Sequence, residues 1–407
     1  MKSILLFFIA LLSLAGVAAQ IPMQVSMPAP QAVMPKQQTG QQQQQRQSQQ
    51  QQLAEFRRER QLSNPTPISY EFPEYQAPLV QYFKQSFAEL QNMLDGKQDL
   101  SLKRAVFLSE NAFLGNSLNY ELFCSDIAAE LDILKEFIRK ENLDVNSDMA
   151  KKYMLQKFFS DTLTMRDSKG NYQLTHYPYK YDFDDPFGTK DWRKMFVTKL
   201  LRDKKGQCHS MPLLYLIFAE ALGVKAWLSF SPQHSYIKTQ DDKGNWYNFE
   251  TTNGHYSTDS WLLSSGYVKT EAMRNKIFMD TLSQKETVAA CLFDLANTYV
   301  RQFGFDKFIL QCADKIMEHS PKNVFALQLK SDYYTYLFQY VAQQLGFPPK
   351  EQIPQYPQAY ALMQKMYEQY RLVEQTGYEN MPENMYQAWL QSFEKERGKQ
   401  PTKTIKP

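Results

Sequence analysis

The stretch that most constrains the fold is "CHSMPLLYLIFAEALG", residues 208–223, because its apolar side chains are not confined to one stripe. Met211, Leu213, Leu214, Leu216, Ile217 and Phe218 surround the axis, and a helix apolar on every face has to be central and buried. The pattern predicts a helix over Cys208 to Leu222, with Gly223 as its left-handed C-terminal cap. Cys208 then stands at the helix N-terminus, where unpaired backbone N–H groups and the helix dipole stabilise a thiolate. A cysteine beside an apolar run is ordinarily a small core hydrophobe. Its place at a helix start separates Cys208 from Cys124, Cys291 and Cys312, the other three of four cysteines. Gly206 lets the chain turn tightly into the helix, and the same N–H groups are placed to bind an oxyanion.

Three β-rich runs follow, "VKAWLSF", "HSYIKTQ" and "WYNFETT", the last two joined by "DDKGN". With Gly244 at the left-handed position, this connection makes a hairpin. If Asp241 pairs with Asn245, then His234, Tyr236, Asn248 and Glu250 share one face, because side chains alternate along a strand. Tyr236 then faces Glu250, and His234 lies diagonal to it at about 7–8 Å between backbones, within reach of a Glu side chain. A Cys at a helix start, a His at a strand start and a carboxylate on the next strand supply a nucleophile, a base and a group to orient the base. Asn248, on the same face, is placed to assist His234 or to bind substrate.

These blocks, "KKGQC", "GVKAWLSFSPQHSYI" and "NWYNFETTNG", resemble the Cys, His and Asp blocks of the transglutaminase-like cysteine-protease superfamily. The resemblance runs from about Phe196 to Gly254, with positions 208 and 234 separated by 26 and positions 234 and 250 by 16. Glu250 stands where the family places Asp, and "ETT" where it commonly has Asp-Pro-Thr. The resemblance implies an α+β, papain-like core, a central helix packed on a small antiparallel sheet. It also implies that Cys208, His234 and Glu250 act as nucleophile, base and orienter, with no cofactor and a protein or peptide as substrate.

The rest of the chain divides around this core. Residues 1–19 carry a basic "MKS", an apolar run too short to span a bilayer comfortably, and Val17, Ala18 and Ala19 before a cut at Gln20. That is the pattern of a signal peptide, so a secreted or periplasmic protein without a transmembrane segment in the mature chain is expected. Residues 20–65 are a Gln-rich tail that buries too little apolar surface to order itself. Apolar residues three and four apart predict helices through residues 66–165, with Asn119 or Ser117 capping the third and Cys124 on its apolar face. The core is expected over 166–272, a helical region over 273–398 and a tail over 399–407. In the helical region Leu295 and Leu329, Tyr299 and Tyr333, and Phe303 and Leu337 recur at the 34-residue spacing of tetratricopeptide repeats, giving one good repeat and one degenerate one. Such flanking helices and repeats also resemble those of bacterial members of the family. Exposed faces of these helices are candidate docking sites for a protein partner. Cys291 and Cys312 fit either a bridge or apolar burial.

Several chemistries are excluded. A net charge of +3 with 22% charged residues gives no polyelectrolyte surface for nucleic acid. The cysteines match no zinc spacing, and no His-Glu-x-x-His, phosphate loop or dinucleotide fingerprint occurs. Residues 171–192, "NYQLTHYPYKYDFDDPFGTKDW", read as a long aromatic loop able to wall a substrate cleft. Within it Asp182, Asp184 and Asp185 fail the EF-hand spacing and read as a solvated turn. The expected activity is acyl transfer or hydrolysis at a peptide or amide bond; the alternative is an inert relative that binds protein or peptide through its helices.

Overall fold

The computed structural model describes residue 52 and residues 67–397, except 167, 168 and 266. The expected signal peptide, nearly all of the Gln-rich tail and the tail over 399–407 lie outside the described residues. The architecture is α+β, and no described helix is long and apolar enough to cross a membrane. From residue 67 onward the described residues begin with four helices, α1 (Val80–Leu94), α2 (Leu102–Phe113), α3 (Tyr120–Lys140) and α4 (Asp148–Ser160). Asn119 caps α3, its side chain accepting from Leu122 N at 2.9 Å, which satisfies a backbone donor that the helix leaves unpaired. Cys124 is only half-buried.

The stretch expected to be a loop contains two short strands. β1 (Leu163–Arg166) and β2 (Tyr172–His176) form an antiparallel hairpin, and β3 (Lys180–Tyr181) pairs in parallel with β4 (Lys205–Gly206). Strands this short offer too few residues for their alternation to stand out from a loop. A 3-10 turn (Trp192–Met195) and α5 (Val197–Asp203) lead into β4. Gly206 does not have the positive φ of a tight turn. It is required by close approach, since an added Cβ would lie 2.6 Å from Ser210 Oγ and 2.8 Å from Leu200 Cδ1.

The central helix, α6 (Ser210–Leu222), buries every residue from Ser210 to Ala219, so its all-round apolarity is matched by packing on all sides. Phe218 meets Phe158 and Phe159 of α4, and Tyr215 meets Phe249 at 5.2 Å. At ~1.5–3 kcal/mol for each large apolar side chain withdrawn from water, this helix is a principal source of stability. Gly223, at φ 67°, caps it as expected. β5 (Ala226–Ser231), β6 (His234–Gln240), β7 (Trp246–Glu250) and β8 (His255–Ser257) form an antiparallel meander in chain order. Lys238 pairs with Asn248 and Gln240 with Trp246, and Asp241 N donates to Asn245 O at 3.0 Å; this is the register assumed above.

Beyond the sheet lie α7 (Asp259–Ser265), α8 (Thr270–Arg274), α9 (Gln284–Phe303), α10 (Lys307–His319), α11 (Val324–Gln344), a 3-10 turn (Lys350–Gln355), α12 (Pro357–Gln375) and α13 (Glu383–Arg397). The residues recurring at 34 lie on α9 and α11, and all but Phe303 are buried. α9 packs on the first two helices: Phe83 meets Tyr299 and Phe303 edge-on, and Ser109 Oγ donates to Cys291 O at 2.7 Å. Met279 N and Leu282 N donate to Phe230 O and Leu228 O along β5. One apolar core therefore draws on both helical regions and the sheet. All four cysteines are free thiols, with Cys291 and Cys312 fully inside that core, so apolar burial describes them.

Candidate active site

The nucleophile candidate lies one step before the helix proper. Cys208 and His209 form a lead turn, closed by Met211 N donating to Gln207 O at 3.0 Å, and α6 begins at Ser210 rather than at Cys208. β4 keeps the chain extended through Gly206, so the helical turn can start only after it. Gln207, wholly buried, donates from Nε2 to Asp182 O at 2.9 Å and Asp185 O at 2.8 Å. Of the acidic cluster only Asp184 is solvated; Asp182 and Asp185 are buried. Asp185 accepts from the backbone of Thr189, Lys190 and Asp191, and Asp182 pairs with Lys194 at 2.9 Å, holding the aromatic segment beside Cys208.

His234 comes from a two-residue turn. Ser231 pairs with His234 across Pro232 and Gln233, and Gln233 takes a left-handed φ of 56°, the type II pattern with proline at its first corner. This strained residue sets its carbonyl 3.9 Å from Cys208 Sγ. Ser235 Oγ donates to the Cys208 carbonyl, fixing the lead turn against the sheet.

The diagonal on the sheet closes as a direct contact. His234 Nε2 and Glu250 Oε2 lie 2.7 Å apart, and Ser257 Oγ donates to the other carboxylate oxygen at 3.4 Å. Both side chains are almost sealed from water, at 2% and 1% exposure, so the pair is strong only if charged and hydrogen-bonded together. With Nε2 engaged by Glu250, Nδ1 is the ring nitrogen left for the thiol, and it has no hydrogen-bond partner among the described residues. Burial alone would lower the His234 pKa, but the Glu250 charge and the Cys208 thiol outweigh it and raise the value to about 9. Burial would likewise push the Cys208 thiol up; the neighbouring His234 imidazolium outweighs it and brings the value below the ordinary one. Both shifts favour a thiolate–imidazolium pair. Burial without such a partner drives the Cys291 and Cys312 thiols well above theirs.

Asn248 is not brought into this group. Its amide donates to Asp259 Oδ1 at 2.8 Å, in a partly exposed network that also holds Lys238. His176 stacks on Phe158 and bonds the Phe158 carbonyl at 2.8 Å, and burial lowers its pKa to about 4.

Other contacts were not foreseen. His209 Nε2 lies 3.2 Å from Asp294 of α9, and its positive charge also favours the Cys208 thiolate. Tyr386 and Trp389 of α13 cover the site: Tyr386 OH is 3.9 Å from Cys208 Sγ and 3.3 Å from Tyr181 OH, and the Trp389 ring stands edge-on to His234 at 4.6 Å. Their three-residue spacing on one helix face was the only signal, and it names no target. Among the described residues one group has metal-ligand spacing, Asp95, Glu318 and His319, and Lys315 already reaches both carboxylates.

The chain matches no known protein family, no curated protein and no solved structure.

Proposed function

We propose that this chain is a transglutaminase-like thiol enzyme, acting outside the cytoplasm on a protein or peptide, with Cys208 as nucleophile, His234 as base and Glu250 as orienter. The observation that carries the reading is the His234 ring, held at Nε2 by Glu250 at 2.7 Å with its other nitrogen unpartnered among the described residues, beside a Cys208 sulfur that lies 3.9 Å from the carbonyl of the preceding residue, Gln233. The sulfur anion adds to the carbonyl carbon of an amide, and the electron pair moves to the carbonyl oxygen. As the intermediate collapses, the C–N bond breaks and the His234 imidazolium gives its proton to the leaving amine. A thioester on Cys208 remains. Water or a second amine then attacks it, losing a proton to His234, and thiol chemistry balances in both cases without a cofactor. The paired helices from α9 onward, read as tetratricopeptide-like, would present the substrate or a partner.

A second reading has its own support. Tyr386 and Trp389 leave Cys208 only 9% exposed, as a fold retained for binding alone would allow. The two readings differ in thiol chemistry. Iodoacetamide, with sites mapped by mass spectrometry, is expected to label Cys208 faster than Cys124, Cys291 or Cys312, and His234→Ala is expected to slow it. Equal labelling of all four thiols, indifferent to His234, would favour the binding module.

A further inference from the structure

The cover over Cys208 is built from a particular chemistry. Tyr386 packs on Phe187 at 4.7 Å and on Trp389 at 5.6 Å, and its hydroxyl points to the sulfur and to Tyr181. Tyr181 and Phe187 belong to the aromatic segment that Gln207 ties to the nucleophile turn, so this wall and the sulfur form one rigid unit. An attacking thiolate needs a carbonyl carbon within about 3–3.5 Å, and the Tyr386 hydroxyl occupies that approach.

The attachment of α13 differs from that of the wall. The residues just before it are anchored: Asn275 Nδ2 donates to Gln375 O and Thr376 O, and Gly377 packs against Ala272 N. From there the chain reaches α13 through Met381 and Pro382, and α13 buries Tyr386, Trp389 and Leu390 against the core. Removing α13 would uncover the Phe187 ring and the Tyr181 hydroxyl that Tyr386 now meets beside Cys208.

Resting on the thiol-enzyme reading above, we propose that α13 is an intramolecular occupant of the substrate cleft, and that the subsite filled by Tyr386 takes an aromatic side chain of a peptide acyl donor. The occupant fits as an aromatic residue of the substrate would: ring against Phe187, polar edge toward Tyr181, and its neighbour Trp389 closing over His234. Substrate binding displaces Tyr386, so the chain protects its thiol until a peptide with a matching side chain competes for the same wall.

The test uses the full chain and its Tyr386→Ala and Trp389→Ala variants, each checked by thermal melting, with three reagents: iodoacetamide and the chloromethyl ketones of acetyl-phenylalanine and acetyl-alanine. Labelling of Cys208 by iodoacetamide is expected to rise about tenfold or more in a folded cover variant. The phenylalanyl reagent is expected to outpace the alanyl one by about tenfold or more in Tyr386→Ala, as an apolar pocket discriminates by side-chain size. Iodoacetamide rates unchanged in both folded variants, or equal rates for the two ketones, would overturn the proposal while His234-dependent labelling still upheld the thiol enzyme. Should one variant not fold, the other decides the cover, and the ratio of the two ketones on the unmodified chain decides the subsite. Loss of His234 dependence throughout would remove the thiol-enzyme reading itself, and this proposal with it.

Discussion

Glu250→Gln preserves the shape of the side chain and removes its charge, so it isolates what the carboxylate does. The His234 pKa of about 9 lies about 2.5 pH units above the ordinary 6.5, worth ~3 kcal/mol at about 1.4 kcal/mol per unit. Burial opposes that rise and remains in the variant, so the imidazole becomes neutral at pH 7 and the buried thiolate loses its counter-ion. Since each unit by which the thiol pKa rises costs tenfold in thiolate, the Cys208 alkylation rate at pH 7 is expected to fall about 10–100-fold and to recover at alkaline pH. The assay is the iodoacetamide rate at Cys208 from pH 5 to 10, with melting measured in parallel. A His whose folded pKa is raised stabilises fully below its unfolded value. The His234 contribution is therefore complete below about pH 6.5 and fades as the pH rises through about 9, and the melting gap between wild type and variant should narrow over that window. Glu250→Asp draws the carboxylate back by about one C–C bond, 1.5 Å, opening a 2.7 Å contact past hydrogen-bond range, so it should behave like Gln although the resembling family uses Asp. Identical pH–rate profiles for wild type and Glu250→Gln would refute the coupling of Glu250 to the thiol through His234.

Gly254→Ala should destabilise by ~1–3 kcal/mol in chemical denaturation, because the new Cβ meets Ser160 Cβ at a φ of 77°. Gly206→Ala should cost a similar amount and also slow Cys208 labelling, since Ser210 Oγ, which accepts from Gln207 N at 3.1 Å, has to move. A chain ending at 272 should fail to give a cooperative melt: Val288, Leu292, Leu295 and Tyr299 of α9, at ~1.5–3 kcal/mol each, together approach the whole 5–15 kcal/mol of a typical domain. A sharp, unchanged transition in that shortened chain would show a core independent of the C-terminal helices.

The parts of the site legible in the sequence are those set by local periodicity. The apolar belt of α6 fixed its burial, and the hairpin closed by Asp241 and Asn245 set which side chains share a face, so the diagonal from His234 to Glu250 followed from counting along two strands. Contacts without a period were invisible. β3 and β4 are two residues each and pair in parallel across 25 positions of chain, so no alternation announces them. Asp182 and Asp185 looked solvated because charge alone does not reveal that backbone N–H groups and a lysine will satisfy a buried carboxylate. Tyr386 stands 178 positions from Cys208, and an amphipathic helix declares that it has an apolar face without naming what the face will cover.

Three consecutive residues of the lead turn are each tied to a different part of the chain. Gln207 holds the carbonyls of Asp182 and Asp185, the Cys208 carbonyl accepts from Ser235 of β6, and His209 pairs with Asp294 of α9. A buried hydrogen bond left unmade costs ~1–3 kcal/mol, so the sulfur cannot shift without breaking contacts in at least one of these regions. A nucleophile fixed so firmly does not find its substrate by moving toward it. On the proposal above, opening of the site falls to α13, whose Tyr386 and Trp389 rings lie over Cys208 and His234.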